Sequence, residues 1–430
     1  MRSNRQHVLG RLFPDLDHSG RSGVVSVCCA HPLAIESGLR QAREAGEPLV
    51  VEATCNQVNQ EGGYTGLRPD GFRRLVGEVC DRVGFPRGRL VLGGDHLGPN
   101  PWRQLPAEQA MSRAEAMVAA FVGAGFTKVH LDASMPCRDD GDAPPQEVIA
   151  RRAARLAKVA EGAAPSPAAL SYVIGSEVPV PGGSRDAPDP HHVTTPEAVR
   201  ATWELHRAAF AALGLEAAFA RVIAVVVQPG LEFSNDDVVV YERSRAAPLR
   251  AALPGLGRLV YEAHSTDHQP PEALAALVED GFAILKIGPA LTFAMREALY
   301  ALDHVAEVLF EVPPGETLRA AMERLMIREP RHWAPYAHGT SGEQRVLRHY
   351  GLSDRLRYYW PYPEATAAVE LLLHRLQGRS VPRALVSQYL PLLHEEVAGG
   401  HLPATPQRMV LASMERIFRG FLAPCATAPA

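Results

Sequence analysis

The sequence predicts a (β/α)8 barrel of the TIM type followed by an all-helical extension. Three observations carry that expectation: eight short apolar runs rich in Val, Ile and Leu recur between Val24 and Gly288; helix-like segments opening on Pro, Ser or Thr and often closing on Gly separate them; and beyond about Pro313 no further strand candidate is convincing. Runs of that length and composition suit parallel strands covered on both faces. Eight strand–helix units fit a barrel, which typically takes about 250 residues and carries its site at the C-terminal ends of its strands. A doubly wound open sheet is the alternative, but the Gly-rich turn it places after its first strand is absent here.

In chain order the runs are VVSVCC (24–29), LVVEA (49–53), LVLGG (90–94), KVHLD (128–132), LSYVIG (170–175), RVIAVVV (221–227), LVYEA (259–263) and AILKIG (283–288). Between runs three and four lies PAEQAMSRAEAMVAAFVGAG, and between seven and eight PEALAALVEDG. Pro at the start and Gly at the end are helix boundary signals. The connection after run five, VPGGSRDAPDPHHVTTP (180–196), is long and full of Gly, Pro and Asp, as lids over sites often are. These boundaries divide the chain into a barrel, residues 1–312, and a helical extension packed on it, residues 313–430, with the tail APCATAPA disordered. In the extension, RYYWP (357–361) admits a sugar-stacking role, and helical packing is the simpler one. Cys28 and Cys29, inside a strand, read as core residues.

Composition narrows the function classes. The 48 acidic against 44 basic residues give a formal charge of -4, the wrong sign for a nucleic-acid or membrane-surface protein. The six cysteines show no C-x-x-C spacing, which argues against a disulfide framework or zinc ribbon and fits a reducing cytoplasm. The N-terminal stretch lacks the apolar core of a signal peptide, and nowhere do about 18 uncharged apolar residues run together. No Walker-type loop or kinase signature occurs, so a kinase is not expected.

The chemistry is expected where polar residues interrupt the strand ends: Glu52, Asp95 with His96, His130 with Asp132, Glu177, Gln228, Glu262 with His264, and Lys286. Barrel interiors are normally filled by branched apolar side chains. His96, Glu177 and His264, two imidazoles and a carboxylate from different strands, suit a divalent ion with positions left open for substrate oxygens. Asp95 beside His96 suits proton transfer on the atoms such an ion polarises. Lys286 suits a Schiff base if burial lowers its pKa, or else an anion or hydroxyl contact. The stretch EVPVPGG, ending in Gly182 and Gly183, offers backbone donors to an anion.

Eight stretches, among them EATCNQVNQEGGYTG, GGDHLGPNPW, VHLDASM, GSEVPVPGG, YEAHSTDHQ and RHYGLSDRLRYYWP, closely resemble the GatZ/KbaZ family, named for a subunit of D-tagatose-1,6-bisphosphate aldolase. The likeness runs from about Val24 to VSQYLP (386–391). It implies a TIM barrel with extra C-terminal helices, and either a non-catalytic subunit that supports a class II aldolase or a stand-alone, metal-dependent ketohexose 4-epimerase interconverting D-tagatose and D-fructose. A more distant similarity to class II aldolases implies that Asp95 transfers protons, that His96 and His264 bind zinc, and that Glu177 before a Gly-Gly matches their strand-five glutamate. Strand eight, LKIGPA, lacks their remaining histidine, which leaves Asp132 or Glu52 to complete a different sphere.

The expectation is thus a cytoplasmic, homo-oligomeric protein of tagatose metabolism, acting at C4 of a ketohexose or its phosphate, alone or with a class II aldolase subunit. Zinc or manganese would be held by His96, Glu177 and His264; Asp95, Asp132 and Lys286 would be catalytic; Glu52, Asn56, His130, Gln228, Gly182 and Gly183 would bind substrate.

Overall fold

The computed structural model describes residues 23–179 and 192–426. All eight runs are strands: β1 (Val24–Cys28), β2 (Leu49–Thr54), β3 (Leu90–Leu97), β4 (Lys128–Leu131), β5 (Ser171–Ile174), β6 (Val222–Val227), β7 (Val260–Ala263) and β8 (Ile284–Ile287). They close into a parallel barrel in sequential order, with β8 pairing back onto β1 from Val24↔Ile284 to Val27↔Ile287. A short antiparallel hairpin, Glu232–Phe233 with Val238–Val239, stands outside the barrel after β6 and was not expected from the sequence.

Successive residues of a strand face opposite sides, and this divides the barrel interior into layers. Val24, Val50, Val91, Val260 and Ile284 pack together in one apolar inner cluster. Two positions further along, towards the C-terminal ends, stand Ser26, Glu52, Gly93, Glu262 and Lys286. The interior is therefore apolar at its base and charged towards its top. The outward faces pack against helices α1 (Pro32–Ala45), α2 (Pro69–Val83), α3 (Ala107–Gly123), α4 (Gln146–Ala163), α5 (Pro196–Ala211), α6 (Ala247–Ala252), α7 (Pro271–Glu279) and α8 (Pro289–Phe310).

The extension contains α9 (Leu318–Arg328), α10 (Ser341–Tyr350), α11 (Pro363–Arg375), α12 (Arg383–Tyr389), α13 (His394–Ala398) and α14 (Pro406–Cys425). The last of these returns to the barrel and packs against α1, α7, α8 and β1. A Cβ on Gly38 of α1 would stand 3.2 Å from the Phe418 ring, and one on Gly23 would stand 2.9 Å from Cys425 Sγ. The tail expected to be disordered is thus helical through Cys425, because Phe421, Leu422 and Cys425 are buried against the barrel. Residues 427–430, and 180–191 of the connection after β5, lie outside the described residues. Among the described residues no helix is long and apolar enough to cross a membrane.

Candidate active site

The end of β3 is irregular, and the site depends on it. The pairing of β3 with β4 shifts register between Gly94 and Leu97, and His96 has a left-handed φ of 50°, which costs a non-glycine residue ~1–3 kcal/mol. A regular strand would send the consecutive Asp95 and His96 to opposite faces. The irregularity brings both to one cluster: Asp95, His96, His130 and His264 are buried, and their ligand-type atoms lie within 4.8 Å of one another. The flanking glycines make room for the chain's own groups. A Cβ on Gly93 would come within 2.4 Å of Glu52 Oε1, and one on Gly98 within 1.6 Å of the Asp132 carbonyl oxygen.

Each histidine is oriented by a carboxylate. His96 Nδ1 lies 2.7 Å from Asp132 Oδ2, which leaves its Nε2 3.6 Å from Asp95 Oδ2. Asp132 also accepts from the Ser134 backbone N–H at 3.0 Å and hydroxyl at 2.6 Å. His264 Nε2 lies 2.9 Å from Glu262 Oε1. His130 Nδ1 is 2.8 Å from Asp95 Oδ1 and 3.2 Å from the His96 backbone nitrogen, while its Nε2 is buried with no hydrogen-bond partner. Buried polar atoms are nearly always satisfied, so this nitrogen is open to a ligand. Imidazoles backed by carboxylates, with one carboxylate among them, form the donor set of a divalent-ion site.

Beneath the cluster lies a buried lattice of charge. Lys128 Nζ, fully buried, bridges Glu52 Oε1 at 2.5 Å and Glu262 Oε2 at 2.7 Å. Lys286 Nζ bonds to Glu52 Oε2 and lies 2.9 Å from Asp95 Oδ1 and 3.8 Å from Glu262 Oε1. Burial alone would lower the pKa of Lys286, but Asp95, Cys28, Glu52 and Glu262 around it drive the value well above the ordinary one. The side chain is therefore a fixed cation, not a free amine, which works against the Schiff-base alternative. Burial would likewise raise Asp95, yet Lys286, His96 and the His130 hydrogen bond hold it well below the carboxylate range. Burial pushes His264 down to about 4, leaving it in the neutral form that metals bind. The Cys28 thiol, raised well up by burial, donates to Asp95 Oδ2 at 3.1 Å.

A cavity of about 760 Å³, counting its open mouth, lies over the cluster. Of the residues expected from sequence, Asn56, Asp95, His96, His264 and Lys286 line it. His130 belongs to the metal-type cluster, Glu52 to the charge lattice, and Asp132 lies behind His96. Glu177 stands apart from the cluster: its carboxylate accepts from the Thr194 hydroxyl at 2.6 Å, and the same hydroxyl takes the Gln228 backbone N–H at 2.9 Å. Neither Glu177 nor Gln228 lines the cavity, and Gly182 and Gly183 lie outside the described residues.

Sequence reasoning missed several members. Cys28, half-buried, lines the cavity, and Cys29 both belongs to the core as expected and borders the cavity, as do Tyr64, Arg357 and Tyr358. RYYWP divides between two roles: Tyr359 and Trp360 are buried packing residues, whereas Arg357 and Tyr358 reach the site. The Tyr64 and Tyr358 rings are 4.7 Å apart, and Arg355 and Arg357 stack on Tyr358 at 4.4 and 4.5 Å. Lys128 opens its strand, where a lysine ordinarily signals solvent.

Comparison with known proteins agrees with this architecture. Residues 11–426 match the family described as D-tagatose-1,6-bisphosphate aldolase subunit GatZ/KbaZ-like. The crystal structure of a probable tagatose 6 phosphate kinase from Sinorhizobium meliloti 1021 superposes with a TM-score of 0.88 at 49% identity, covering 94% of this chain and 100% of that one. A fructuronate-tagaturonate epimerase, UxaE, from Cohnella laeviribosi shares the fold with a TM-score of 0.52 at 12% identity, covering 97% of this chain and 84% of that one.

Proposed function

This chain belongs to the D-tagatose-1,6-bisphosphate aldolase subunit GatZ/KbaZ-like family, and on that premise we propose that its cavity is a divalent-metal-dependent active site working at C4 of a ketohexose or its phosphate. The activity is that of an aldolase component or of a D-tagatose/D-fructose 4-epimerase. The observation that carries this reading is the buried cluster of Asp95, His96, His130 and His264, with His130 Nε2 unpartnered, beside a sugar-sized cavity. A merely structural partner subunit has no physical need to bury acids and ammonium groups together, because each charge costs several kcal/mol to desolvate.

The residues divide the work by what they touch. His96, His130 and His264 would hold the ion, zinc or manganese, in place of the expected set with Glu177, and Asp95 beside them is left to exchange a proton. Such an ion supplies Lewis-acid polarisation of the sugar oxygens and lowers the pKa of a bound hydroxyl. Asp132 keeps His96 in one orientation through its 2.7 Å contact, and acts through that ring instead of on substrate. Asp95, at the cavity wall, is the carboxylate placed to take the proton of a substrate hydroxyl. Lys286, a fixed ammonium on the same wall, offsets negative charge on the oxygen of the enediolate left when the C3–C4 bond breaks. Reclosure on the other face of the aldehyde inverts C4, whereas release completes an aldol cleavage.

The test is NMR of the purified chain with D-tagatose in D₂O and Mn²⁺ or Zn²⁺. Formation of D-fructose, or of cleavage products from the phosphorylated sugar, that stops with EDTA is the expected result. Turnover at the same rate in EDTA, with no metal found by elemental analysis, overturns the reading.

A further inference from the structure

Barrel enzymes often bind an anionic group at the top of the loops after strands seven and eight, on the N-terminus of a helix. Here that position is already filled from within the chain. Asp267, just after β7, accepts the backbone N–H groups of Gly288 at 3.0 Å and Ala290 at 2.8 Å through Oδ1, at the first turn of the 22-residue α8. A Cβ on Gly288 would stand 2.8 Å from the Cys28 carbonyl oxygen, so only glycine fits this close turn. An anion on the sugar must therefore be met elsewhere in the cavity.

The helical extension brings a guanidinium to the cavity wall. Arg357 is only 9% exposed, and its Nη1 donates to the carbonyl oxygens of Ser353 and, at 3.0 Å, Asp354. Nη2 reaches the Tyr358 hydroxyl at 3.1 Å. These contacts fix the group against the Tyr358 ring, which meets Tyr64 at a 56° tilt beside the cavity. Arg355, sandwiched between Tyr336 at 3.7 Å and Tyr358 at 4.4 Å, adds a second positive charge to the same stack. The acids beside Arg357 already have partners of their own: Asp354 lies 3.7 Å from Arg296, and Asp267 accepts the Gly288 and Ala290 backbone N–H groups.

We propose that Arg357, framed by Tyr358 and Tyr64, binds an anionic group of the sugar, a phosphate ester or a sugar-acid carboxylate, in the cavity that holds the metal-type cluster. The extension is then part of the substrate site, and Arg357 sets the preference for charged over neutral sugars. This rests on the cavity being a sugar site, but its test needs no turnover.

The test is calorimetric titration of the full metal-loaded chain with inorganic phosphate and, separately, with glycolate, alongside Arg357→Met and Arg357→Lys. Saturable wild-type binding of at least one probe is expected, weakened at least tenfold in R357M and less in R357K, with metal content unchanged. Which probe binds distinguishes phosphate from carboxylate. In turnover, R357M should lower the ratio of kcat/KM for D-fructose 6-phosphate, or for a hexuronate, over D-fructose by at least tenfold. Should R357M fail to fold, R357K carries the comparison, because retained charge with a lost fork should still weaken binding severalfold. Binding of neither probe to the wild type, or equal binding by wild type and both variants, overturns the proposal. A chain that binds phosphate through Arg357 yet shows no metal-dependent turnover would overturn the proposed function alone.

Discussion

Replacing Lys128 with Met should destabilise the barrel more than any surface change, because of what it leaves behind. The ammonium is fully buried between Glu52 at 2.5 Å and Glu262 at 2.7 Å, and only Lys286 remains to neutralise both carboxylates. Glu262 shows the coupling directly: burial would raise its pKa, but Lys128, then Lys286 and His264, hold it well below the usual range. Removing one partner of a buried pair costs ~3–5 kcal/mol, since the other charge stays desolvated. At ~2.1 cal/mol/K of unfolding entropy per residue, a chain of 430 residues has ~0.9 kcal/mol/K, so the melting midpoint should fall by about 3–6 °C. Differential scanning calorimetry of K128M, Glu262→Gln and the double variant checks this, and the double variant should recover ~0.5–3 kcal/mol of coupling. If K128M melts within a degree of wild type, or the two changes simply add, Glu52 and Glu262 do not depend on Lys128 for their charge balance.

Three further outcomes follow from other contacts. Asp132→Asn should weaken divalent-metal affinity ~10–100-fold by loosening His96; a titration giving the wild-type Kd would remove Asp132 from that role. Burial pushes His206 down to about 4, against ~6.5 when unfolded. The unfolded chain therefore binds more protons between those values, and the ~3 kcal/mol this group contributes is complete above pH 6.5 and lost as pH falls to 4. His206→Leu should flatten that part of the stability–pH curve in chemical denaturation, and an unchanged slope would count against it. Ending the chain before Pro406 removes Met409, Val410, Met414, Phe418, Phe421 and Leu422 from the core. At ~1.5–3 kcal/mol each, the ~9–18 kcal/mol lost matches or exceeds the whole ~5–15 kcal/mol stability of a typical domain. A soluble truncated chain with a cooperative thermal transition would show that α14 is dispensable.

Much of the architecture was legible because parallel strands buried on both faces must be apolar throughout, and eight such runs stand out against polar, Pro- and Gly-bounded connections. The polar strand ends were legible for the same reason: Asp95, His96 and His264 interrupt segments that otherwise have no use for charge. The roles were less legible. Glu177 and His130 both looked suited to a site, and nothing local distinguishes a residue that joins the buried histidine cluster from one that bonds to Thr194. Lys128 looked only like the first residue of a strand run, and Arg357 with Tyr358 shared a packing motif with Tyr359 and Trp360.

The sequence by itself determined the eight barrel strands, the helical character after Pro313, and the residue types available at the open end of the barrel. Those follow from local composition and from the two-residue alternation of a strand. Only the tertiary structure decided which of these residues meet. Closure of β8 on β1 sets Lys286 against Glu52, the register shift in β3 turns both Asp95 and His96 to one cluster, and the fold of the extension carries Arg357 to the cavity. Each of these depends on contacts between segments far apart in the chain, and short-range preference carries no information about such contacts.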